Sequence, residues 1–407
     1  MMKAPRLLYL GHNLPYPPHA GALIRSYHTV RLLSRSFDLT GLYFFRRDAL
    51  ATEEARRQAS DHMQQFGPAH CFPIPQEWSG VRFALDHSRS LLSGSPYTRW
   101  VYESADVRAL LGRLLRGERF DLVHVDSLDL LAYLPMLQNS RVILAHHNVE
   151  STLLRRRAAA ERGIRRSYIL FQARLVERSE RIWCPRVSLN VAVSPEDASI
   201  FRRIAPGGEW LVIPNGVDTR SMTPAKGEPD AGIVFVGGHS WFPNADGMDF
   251  FAREILPVVR KEEPSVSVRW IGRAPPEAID RFRALGVEML GYVPDIRPEL
   301  NRARCVIVPL RVGGGTRLKI LDAWAMGKAV VSTGLGCEGL RVKPGDNILI
   351  ADGPSDFASS ILSVLRDSQL RRRLESGGRA TAEAHYDWEL LGQVMNSHYR
   401  SLIESRV

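Results

Sequence analysis

A run of three glycines followed by two cations is the stretch of this sequence best suited to bind an anion. The stretch comprises Gly313, Gly314, Gly315, Thr316, Arg317 and Lys319. Glycines let the backbone approach a ligand without Cβ clashes, and residues 317–326 have helical spacing that Gly327 ends. Cations at a helix start oppose the helix dipole, so a bound anion would explain them, and a diphosphate is the natural candidate.

The same stretch is also compatible with an ordinary loop in which Arg317 and Lys319 are solvated. Its glycine spacing matches neither the P-loop nor the G-x-G-x-x-G pattern. A second pair, Gly237 and Gly238, lies between a predicted strand and a helix predicted at 246–260. Such a strand, glycine turn and helix also suit phosphate binding.

Polar residues follow two predicted strands in the first half of the chain. They are His124, Asp126 and Ser127 after the strand at 120–125, and His146 and His147 after the strand at 141–145. Open parallel sheets bind ligands at the carboxyl ends of their strands, so these residues are site candidates. We do not expect the two adjacent histidines to form a metal pair, because neighbouring side chains point in different directions. Capping of the next helix is the other interpretation.

A proline-rich loop at 12–20 precedes a predicted helix that Gly21 opens. Strand, glycine-containing loop and helix are typical of the start of a Rossmann-type unit. On the residues alone, the prolines would stiffen a surface loop. Residues 71–102 are predicted to be irregular, with aromatic side chains that either line an acceptor site or plug the core.

The composition is that of a globular protein with a strong positive charge. The 407 residues are 44% apolar and 24% charged, with a net charge of +10 at pH 7. The length predicts two domains, and the charge favours a polyanionic partner such as nucleic acid, anionic lipid or a phosphate-rich substrate. Four scattered cysteines predict reduced core thiols in a cytosolic protein. No apolar run approaches the roughly 18 residues of a membrane span, and the N-terminus lacks a signal-peptide pattern, so the substrate is expected on the cytoplasmic side.

Residues 152–183 predict one long helical region that is crowded with arginine. Its arginines are Arg155, Arg156, Arg157, Arg162, Arg165, Arg166, Arg174, Arg178 and Arg181. A solvated charged face is one explanation. Contact with anionic lipid head groups or with a lipid-diphosphate acceptor is the other, since each basic group near an anionic leaflet contributes about 1 kcal/mol.

The glycine stretch also resembles a known family. Residues 314–332 are similar to the donor-nucleotide loop and helix of family 4 glycosyltransferases, in a bacterial branch with a G-T-R-L-K-x-L-[ED]-A-x-A-M-G stretch that is associated with exopolysaccharide and PEP-CTERM systems. The H-N-V-E-S stretch from His147, the N-G-V-D turn from Asn215 and the W-x-P-N stretch from Trp241 resemble it too. The resemblance implies the α/β fold called GT-B, in which two Rossmann-like domains face each other across a cleft. A C-terminal helix crosses back to the first domain.

The resemblance also implies the domain limits and the activity. Residues 1–220 would form the acceptor-side domain, 231–385 the nucleotide-sugar domain, and 386–407 the terminal helix that packs on the first domain. The implied reaction moves a sugar from a nucleotide sugar to a glycan or lipid-linked acceptor, with retention, in bacterial exopolysaccharide or envelope assembly. Neither a metal nor another cofactor is expected, and nucleic acid is not expected as a partner. The protein would be cytoplasmic and peripheral on the inner face of the membrane, with the arginine-rich helix against anionic lipid.

Residue roles follow from the resemblance by position. The implied donor contacts are Gly237, Gly238, Gly313, Gly314, Gly315, Thr316, Asp322, Tyr292, Val293 and Glu338, and the implied acceptor-side contacts are His19, Gly21, Arg25 and Asp126. Arg317 and Lys319 would stabilise the departing diphosphate, and His147 would face the sugar. Two departures matter: Gly314 stands where many members have a glutamate, and the arginine and lysine that usually follow the strand at 233–236 are absent. Arg317 and Lys319 would supply that missing charge.

Two other functions remain open from the sequence. A nucleotide-sugar epimerase or a phosphorylase would use the same architecture, although a phosphorylase needs a pyridoxal-phosphate lysine that nothing here singles out. A nucleic-acid-binding protein would explain the positive charge. Against it, the arginines cluster in one helical region without interleaved RNA-binding motifs.

Overall fold

The computed structural model describes residues 4–19, 21–47, 50–78, 80–225, 229, 231–313 and 317–405. The chain divides into two units of α/β structure. The first contains the described residues up to Pro214 together with those from Gly392 onward, and the second contains Asn215–Leu391. The last part of the chain therefore belongs to the same unit as the first part.

Seven parallel strands form the sheet of the first unit. They are β1 (Arg6–Gly11), β2 (Asp38–Phe45), β3 (Ala69–Pro73), β4 (Leu122–Val125), β5 (Val142–Ala145), β6 (Leu189–Ala192) and β7 (Trp210–Val212). Their spatial order is β3-β2-β1-β4-β5-β6-β7, so the strand order reverses between β1 and β4. In the register of these two strands, Leu7 pairs with Leu122 and Leu10 with Val125. The strands are short apolar runs because helices cover both faces of such a sheet.

The described residues of the first unit form eight α-helices before the second unit begins. They are α1 (Gly21–Leu33), α2 (Glu53–Gln64), α3 (Gly80–Ser93), α4 (Thr98–Val101), α5 (Ala105–Gly117), α6 (Glu150–Ala159), α7 (Gly163–Trp183) and α8 (Pro195–Ile204). Hydroxyl caps start several of them. Ser194, for example, accepts from the Asp197 N–H at 3.0 Å, and Pro195 occupies the first turn of α8, where it leaves no backbone donor unpaired.

The first unit differs from the sequence prediction in two regions. Residues 71–102 are not irregular, since they contain the end of β3 and the helices α3 and α4. The region predicted as one helix from 152 to 183 is two helices. The break lies at Arg162, which is extended with φ −129° and ψ 165°, and at Gly163, whose φ of +58° is a left-handed conformation that favours glycine.

Six parallel strands form the sheet of the second unit. They are β8 (Ala231–Val236), β9 (Val268–Ile271), β10 (Glu288–Gly291), β11 (Ala303–Val308), β12 (Ala329–Ser332) and β13 (Leu349–Ile350). Their spatial order is β10-β9-β8-β11-β12-β13, so the reversal falls between β8 and β11. Both sheets therefore have the doubly wound arrangement in which ligands bind where the strand order reverses.

The helices of the second unit follow in the chain. They are α9 (Phe242–Phe250), α10 (Leu256–Glu262), α11 (Pro276–Ala284), α12 (Arg297–Arg302), α13 (Leu318–Ala325), α14 (Pro354–Arg366) and α15 (Ser368–His385). The helix predicted at 246–260 starts four residues earlier, at Phe242, and is interrupted by a π-helical turn over Phe251–Ile255. Pro257 explains the interruption, because it cannot donate the backbone hydrogen bond that a continuous α-helix needs.

A last helix, α16 (Trp388–Glu404), begins in the second unit and continues in the first. Gly392 packs on α1, where an added Cβ would lie 2.6 Å from a methyl carbon of Leu32. The Asn396 side chain donates to the Leu32 carbonyl at 3.2 Å. None of the described helices is both long enough and apolar enough to cross a membrane. All four cysteines are free thiols.

Candidate active site

The candidate residues gather at the carboxyl ends of the strands on either side of each reversal. In the second unit β8 leads into Gly237 and Gly238, and β11 leads towards Gly313. In the first unit β1 leads into His12 and β4 into Asp126. Open parallel sheets form a crevice for ligands at such positions, so each unit offers one site.

Close backbone packing shapes the site of the second unit. Gly237 has φ +153°, and an added Cβ would lie 2.5 Å from Nδ2 of Asn244. That amide donates to the Gly238 carbonyl at 2.9 Å. Gly247 of α9 lies against the segment after β11, since a Cβ there would be 2.9 Å from the Pro309 carbonyl oxygen. Glycine is therefore required where the turn after β8 and the start of α9 meet their neighbours.

Arg317 stands at the N-cap position of α13 and is only 3% exposed, so it is not the solvated cation of the alternative interpretation. Its Nη2 donates to the Leu335 carbonyl at 3.5 Å, and its guanidinium carbon lies 5.8 Å from the ring centroid of Trp241. Gly313, with φ +119°, precedes it in the chain. The predicted donor contacts Gly314, Gly315 and Thr316 lie outside the described residues.

Lys319 is held in place by a neutral partner. Its Nζ donates to Oδ1 of Asn244 at 2.6 Å and lies 4.2 Å from the ring centroid of Phe235. Burial, followed by the charge of Arg317, lowers the pKa of Lys319 well below its ordinary value. Among the described residues, no carboxylate forms an ion pair with this ammonium. An anion that enters here would neutralise the two cations and raise that pKa again.

The other predicted donor contacts differ in how deeply they are buried. Asp322 is half-buried one turn after Lys319, and burial raises the pKa of its carboxyl group to about 7. No described side chain forms a hydrogen bond or an ion pair with that carboxylate. Tyr292 is 52% exposed beneath the guanidinium of Arg273, whereas Val293 packs on the apolar cluster that contains residues of α13. Glu338 follows the turn whose Leu335 carbonyl accepts from Arg317.

A buried carboxylate, Asp126, organises the site of the first unit. Its Oδ2 accepts from Ser26 at 2.5 Å and lies 3.2 Å from Nδ1 of His12. His147 donates through Nε2 to the Asp126 backbone carbonyl at 2.9 Å, with Oδ2 3.6 Å away. His124 brings Nε2 to 3.7 Å from Oδ1. The structure thus joins the predicted residues Asp126 and His147 in one cluster.

The protonation states in this cluster follow from its charges. Burial alone would raise the pKa of Asp126, but the charge of His147 and the imidazole nitrogens of His12, His124 and His147 close to the carboxylate outweigh it and hold that pKa well below its ordinary value. Burial lowers the pKa of His147, and Asp126 offsets this only in part. For His12 the opposite balance holds: burial lowers the pKa, but Asp126 raises it by more. The cluster therefore favours an ionised Asp126 beside a neutral His147 that can contact a sugar hydroxyl.

The ligand atoms of His12, Asp126 and His147 lie within 4.8 Å of one another, which is close enough for a metal ion. The hydrogen bond of His147 explains part of this spacing without one. The Nε2 of His147 is directed at the Asp126 backbone carbonyl, and a nitrogen that donates a proton cannot also bind a metal. That a metal is not needed here stays a prediction.

The other predicted residues of the first unit differ in their exposure and in their hydrogen-bond partners. Arg25 of α1 is 4% exposed, and burial lowers its pKa although attraction to Asp126 opposes the shift. His19 lies exposed in the loop before α1, where Nδ1 donates to the Pro17 carbonyl at 2.8 Å, and Gly21 is exposed at the helix start. His146 turns away from His147 into the core, since its Nε2 bonds Oδ1 of Asn190 at 3.2 Å.

Four residues of the two sites were missing from the sequence prediction. His12, Ser26, Asn244 and Tyr399 contact the predicted residues through their side chains. His12 follows β1 directly, so the rule of strand carboxyl ends could have found it. Ser26 and Tyr399 come from helices far away in the chain, and no local pattern indicates their position.

Two family models match adjacent parts of the chain. One described as "Glycosyltransferase Family 4" matches residues 66–221, and one described as "Glycosyl transferases group 1" matches residues 230–367. The first ends within the start of the second unit, and the second covers the glycine turns, Arg317 and Lys319. The chain is a glycosyltransferase family 4-like protein.

Solved structures agree with this assignment at the level of the fold. Sucrose-phosphate synthase from Thermosynechococcus elongatus superimposes with a TM-score of 0.69 at 16% identity, over 98% of this chain and 100% of that chain. HepE of Anabaena, solved in complex with UDP and glucose, has a TM-score of 0.64 at 16% identity, over 97% of this chain and 99% of that chain. The expected GT-B fold of this family 4-like protein is therefore confirmed.

Curated relatives are similar over shorter stretches. An uncharacterised 44.6 kDa protein in the cps region of Klebsiella pneumoniae is 24% identical over 38% of this chain and 42% of the relative. A GDP-mannose-dependent monoacylated alpha-(1-6)-phosphatidylinositol monomannoside mannosyltransferase of Corynebacterium glutamicum is 24% identical over 46% of this chain and 55% of the relative. The chain thus spans about half the length of the curated relatives it matches.

Proposed function

We propose that this family 4-like protein transfers a sugar from a nucleotide-sugar donor to a glycan or lipid-linked acceptor. The observation that carries the proposal is the Lys319 ammonium, which lies half-buried near Arg317 at the reversal of the second sheet. Among the described residues it bonds the neutral amide of Asn244 and forms no ion pair. A half-buried ammonium in such surroundings is suited to an anion that arrives with the substrate. The UDP bound to HepE and the GDP-mannose used by the mannosyltransferase relative are anions of this kind.

The donor-side roles follow from charge. As the bond between the sugar and the diphosphate breaks, negative charge grows on the departing oxygen, and Arg317 with Lys319 stabilises it. The turn at Gly237 and Gly238 lets backbone approach the phosphates. Asp322, one turn along α13, accepts hydrogen bonds from the ribose hydroxyls. Tyr292 and Val293 contact the base, and Glu338 completes the pocket.

The acceptor-side roles belong to the Asp126 cluster of the first unit. His147 contacts the transferred sugar as a neutral imidazole whose orientation the Asp126 backbone carbonyl fixes. Arg25 contributes a buried positive charge beside it, and His19 with Gly21 lies in the loop ahead of α1. We propose that transfer proceeds with retention and without a metal.

The biological setting is also part of the proposal. The relative from the cps region and the mannosyltransferase that acts on a phosphatidylinositol mannoside support a role in exopolysaccharide or envelope assembly. The acceptor would be reached at the cytoplasmic face of the membrane. Several arginines of α6 and α7 are exposed, including Arg162, Arg166 and Arg174, and they suit contact with anionic lipid.

A thermal-shift panel with UDP, GDP, ADP and their sugars tests the donor site. A nucleotide at a hundred times its dissociation constant should stabilise the wild type by about 2.7 kcal/mol. Arg317→Ala should reduce that shift strongly, while Arg372→Ala, at an exposed arginine of α15, should leave it unchanged. No shift with any nucleotide, or an equal shift in Arg317→Ala, would overturn the assignment.

Product analysis separates transfer from the alternatives. Incubation with the stabilising nucleotide sugar and a bacterial lipid fraction should release the nucleoside diphosphate and a glycosylated acceptor, whose anomeric configuration reports retention. Conversion of the nucleotide sugar to an isomer without any acceptor would show an epimerase instead.

A further inference from the structure

Helix α3 exposes five large apolar side chains and buries two polar ones. Asp86 and Ser90 are fully buried, whereas Leu92 is 90% exposed and Val81 is 70% exposed. The exposed apolar residues of the helix are Val81, Phe83, Leu85, Leu91 and Leu92. We call this set, together with Ile164 of α7, the α3 face. Large apolar side chains that are exposed side by side indicate a surface with a partner.

Hydrogen bonds along the buried side of α3 fix this orientation. Asp86 accepts from Nε of Arg82 at 3.0 Å and from the Gln76 side chain at 3.3 Å. Ser90 accepts from the Gln172 side chain at 2.8 Å and donates to a loop carbonyl. A rotation that turned the apolar residues inward would break these bonds and leave buried polar groups unpaired. The exposure of the α3 face is therefore part of the fold.

Helix α7 extends the same surface. His87 of α3 shares a hydrogen bond with the Tyr168 hydroxyl of α7. Ile164 lies four residues before Tyr168, on the same side of the helix, and is 88% exposed. Its apolar side chain thus continues the α3 face across the two helices.

Arginines surround the α3 face. Arg162, Arg165 and Arg166 are exposed at the start of α7, and Arg89 is exposed on α3. Arg165 pairs with Glu161 at 3.5 Å, but no described residue forms an ion pair with Arg162 or Arg166. Arg89 likewise pairs with Asp86 at 3.4 Å. An apolar surface bordered by arginines, two of which form no ion pair with a described residue, is the pattern of a helix that lies in the interface of an anionic membrane.

We propose that the α3 face docks on the surface of an anionic lipid bilayer, with its apolar side chains among the acyl chains and its arginines at the head groups. With 14 residues, α3 is shorter than the about 20 residues of a spanning helix, so it would lie in the membrane plane. A second copy fits this surface less well, because a symmetric dimer would place the arginines of both copies together. The inference rests on the membrane contact in the proposed function and names the surface that makes it.

Vesicle sedimentation of the full chain tests the docking surface. Vesicles of equal parts phosphatidylcholine and phosphatidylglycerol should bind the wild type, whereas phosphatidylcholine alone should bind it about tenfold less. Leu91→Ser with Leu92→Ser should abolish most of the binding. The matched control is Val258→Ser with Leu390→Ser, which replaces two partly exposed apolar residues of the second unit and should bind like the wild type.

Two double variants that remove arginine charges complete the test. Arg162→Gln with Arg166→Gln should weaken binding to anionic vesicles by about thirtyfold, because two basic groups contribute about 1 kcal/mol each there. Arg372→Gln with Arg373→Gln removes the same charge from α15 and should have no effect. No vesicle binding by the wild type, or equal losses in test and control variants, would overturn the proposal. So would a dimer in solution that dissociates on Leu91→Ser with Leu92→Ser. Nucleotide thermal shifts on the same preparations report the donor site separately.

Discussion

The hydroxyl of Tyr399 and Nδ1 of His124 share a hydrogen bond of 2.9 Å, which connects α16 to the end of β4. His124 stacks on the ring of Tyr9 at 4.8 Å, and its other nitrogen faces Asp126. A residue from the far end of the chain thus supports the carboxylate that organises the first site.

Replacing Tyr399 with phenylalanine should therefore destabilise the first unit. The change removes one buried hydrogen bond and leaves His124 without its Nδ1 partner, so we expect a loss of about 1–2 kcal/mol in the free energy of unfolding. Urea denaturation measures it. Tyr292→Phe, which removes an exposed hydroxyl, is the control and should leave the midpoint unchanged. Equal midpoints for Tyr399→Phe and the wild type would show that the bond contributes nothing.

The Asp126 carboxylate should stabilise the fold in a pH-dependent manner. Its pKa is depressed in the folded state, so its contribution is present above the unfolded value of about 3.9 and is lost as the pH falls through the folded value. At pH 7, Asp126→Asn should be less stable by about 2 kcal/mol, since bonds from charged partners are weakened. Denaturation curves between pH 2 and 7 should show the difference shrinking in acid. Asp280→Asn, at an exposed ion pair, should show no such trend.

Nucleotide binding should be accompanied by proton uptake at Lys319. The diphosphate restores the pKa that burial and Arg317 lower, so the amine binds a proton when the ligand enters. Calorimetry in buffers of different ionisation enthalpy measures this uptake at alkaline pH. Lys319→Met should abolish it and lower turnover about a hundredfold, whereas Lys261→Met on the surface of α10 should change neither. Undiminished uptake in Lys319→Met would assign the proton to another group.

Lys319 should also make the stability of the second unit depend on pH in alkaline solution. Because its folded pKa lies below the usual value of about 10.4, the unfolded chain binds more protons between these two values. Stability should therefore rise with pH across that window. Lys319→Met should reduce this increase of stability with pH, which thermal unfolding at several pH values measures. If the stability of Lys319→Met rises with pH as steeply as that of the wild type, the depressed pKa of Lys319 is contradicted.

Chelation should not affect the protein. Because Nε2 of His147 donates to the Asp126 carbonyl, EDTA should change neither the melting temperature nor the transfer rate. A stoichiometric metal found by elemental analysis would contradict this prediction under one condition. Its removal would have to lower the melting temperature of the wild type but not that of His12→Asn.

The sequence predicts those parts of the fold that local patterns determine. The predicted strands at 120–125 and 141–145 correspond to β4 and β5, and helical spacing with Gly327 located α13. Helix α3 was missed because its apolar residues face solvent, so no stripe marks a buried side. The break between α6 and α7 was missed because it depends on the left-handed conformation of Gly163, which apolar spacing does not indicate.

Part of the candidate site was also predictable from the sequence. Strand ends indicated Asp126 and His147 because topology brings such ends to one edge of a sheet. The position of Lys319 could not be foreseen, since lysine side chains are mostly exposed and its partner Asn244 is distant in the sequence. Contacts of this kind depend on packing between elements, for which a single sequence contains no local signal.

The first unit is discontinuous in the chain, and this affects how the protein can be made. Residues from Gly392 onward leave the ribosome only after Asn215–Leu391 have been synthesised. Until then, the surface of α1 that receives Gly392 and Asn396 is uncovered, and His124 lacks Tyr399. The nascent first unit must therefore wait for its final helix, and during that interval chaperones have a defined apolar surface to shield.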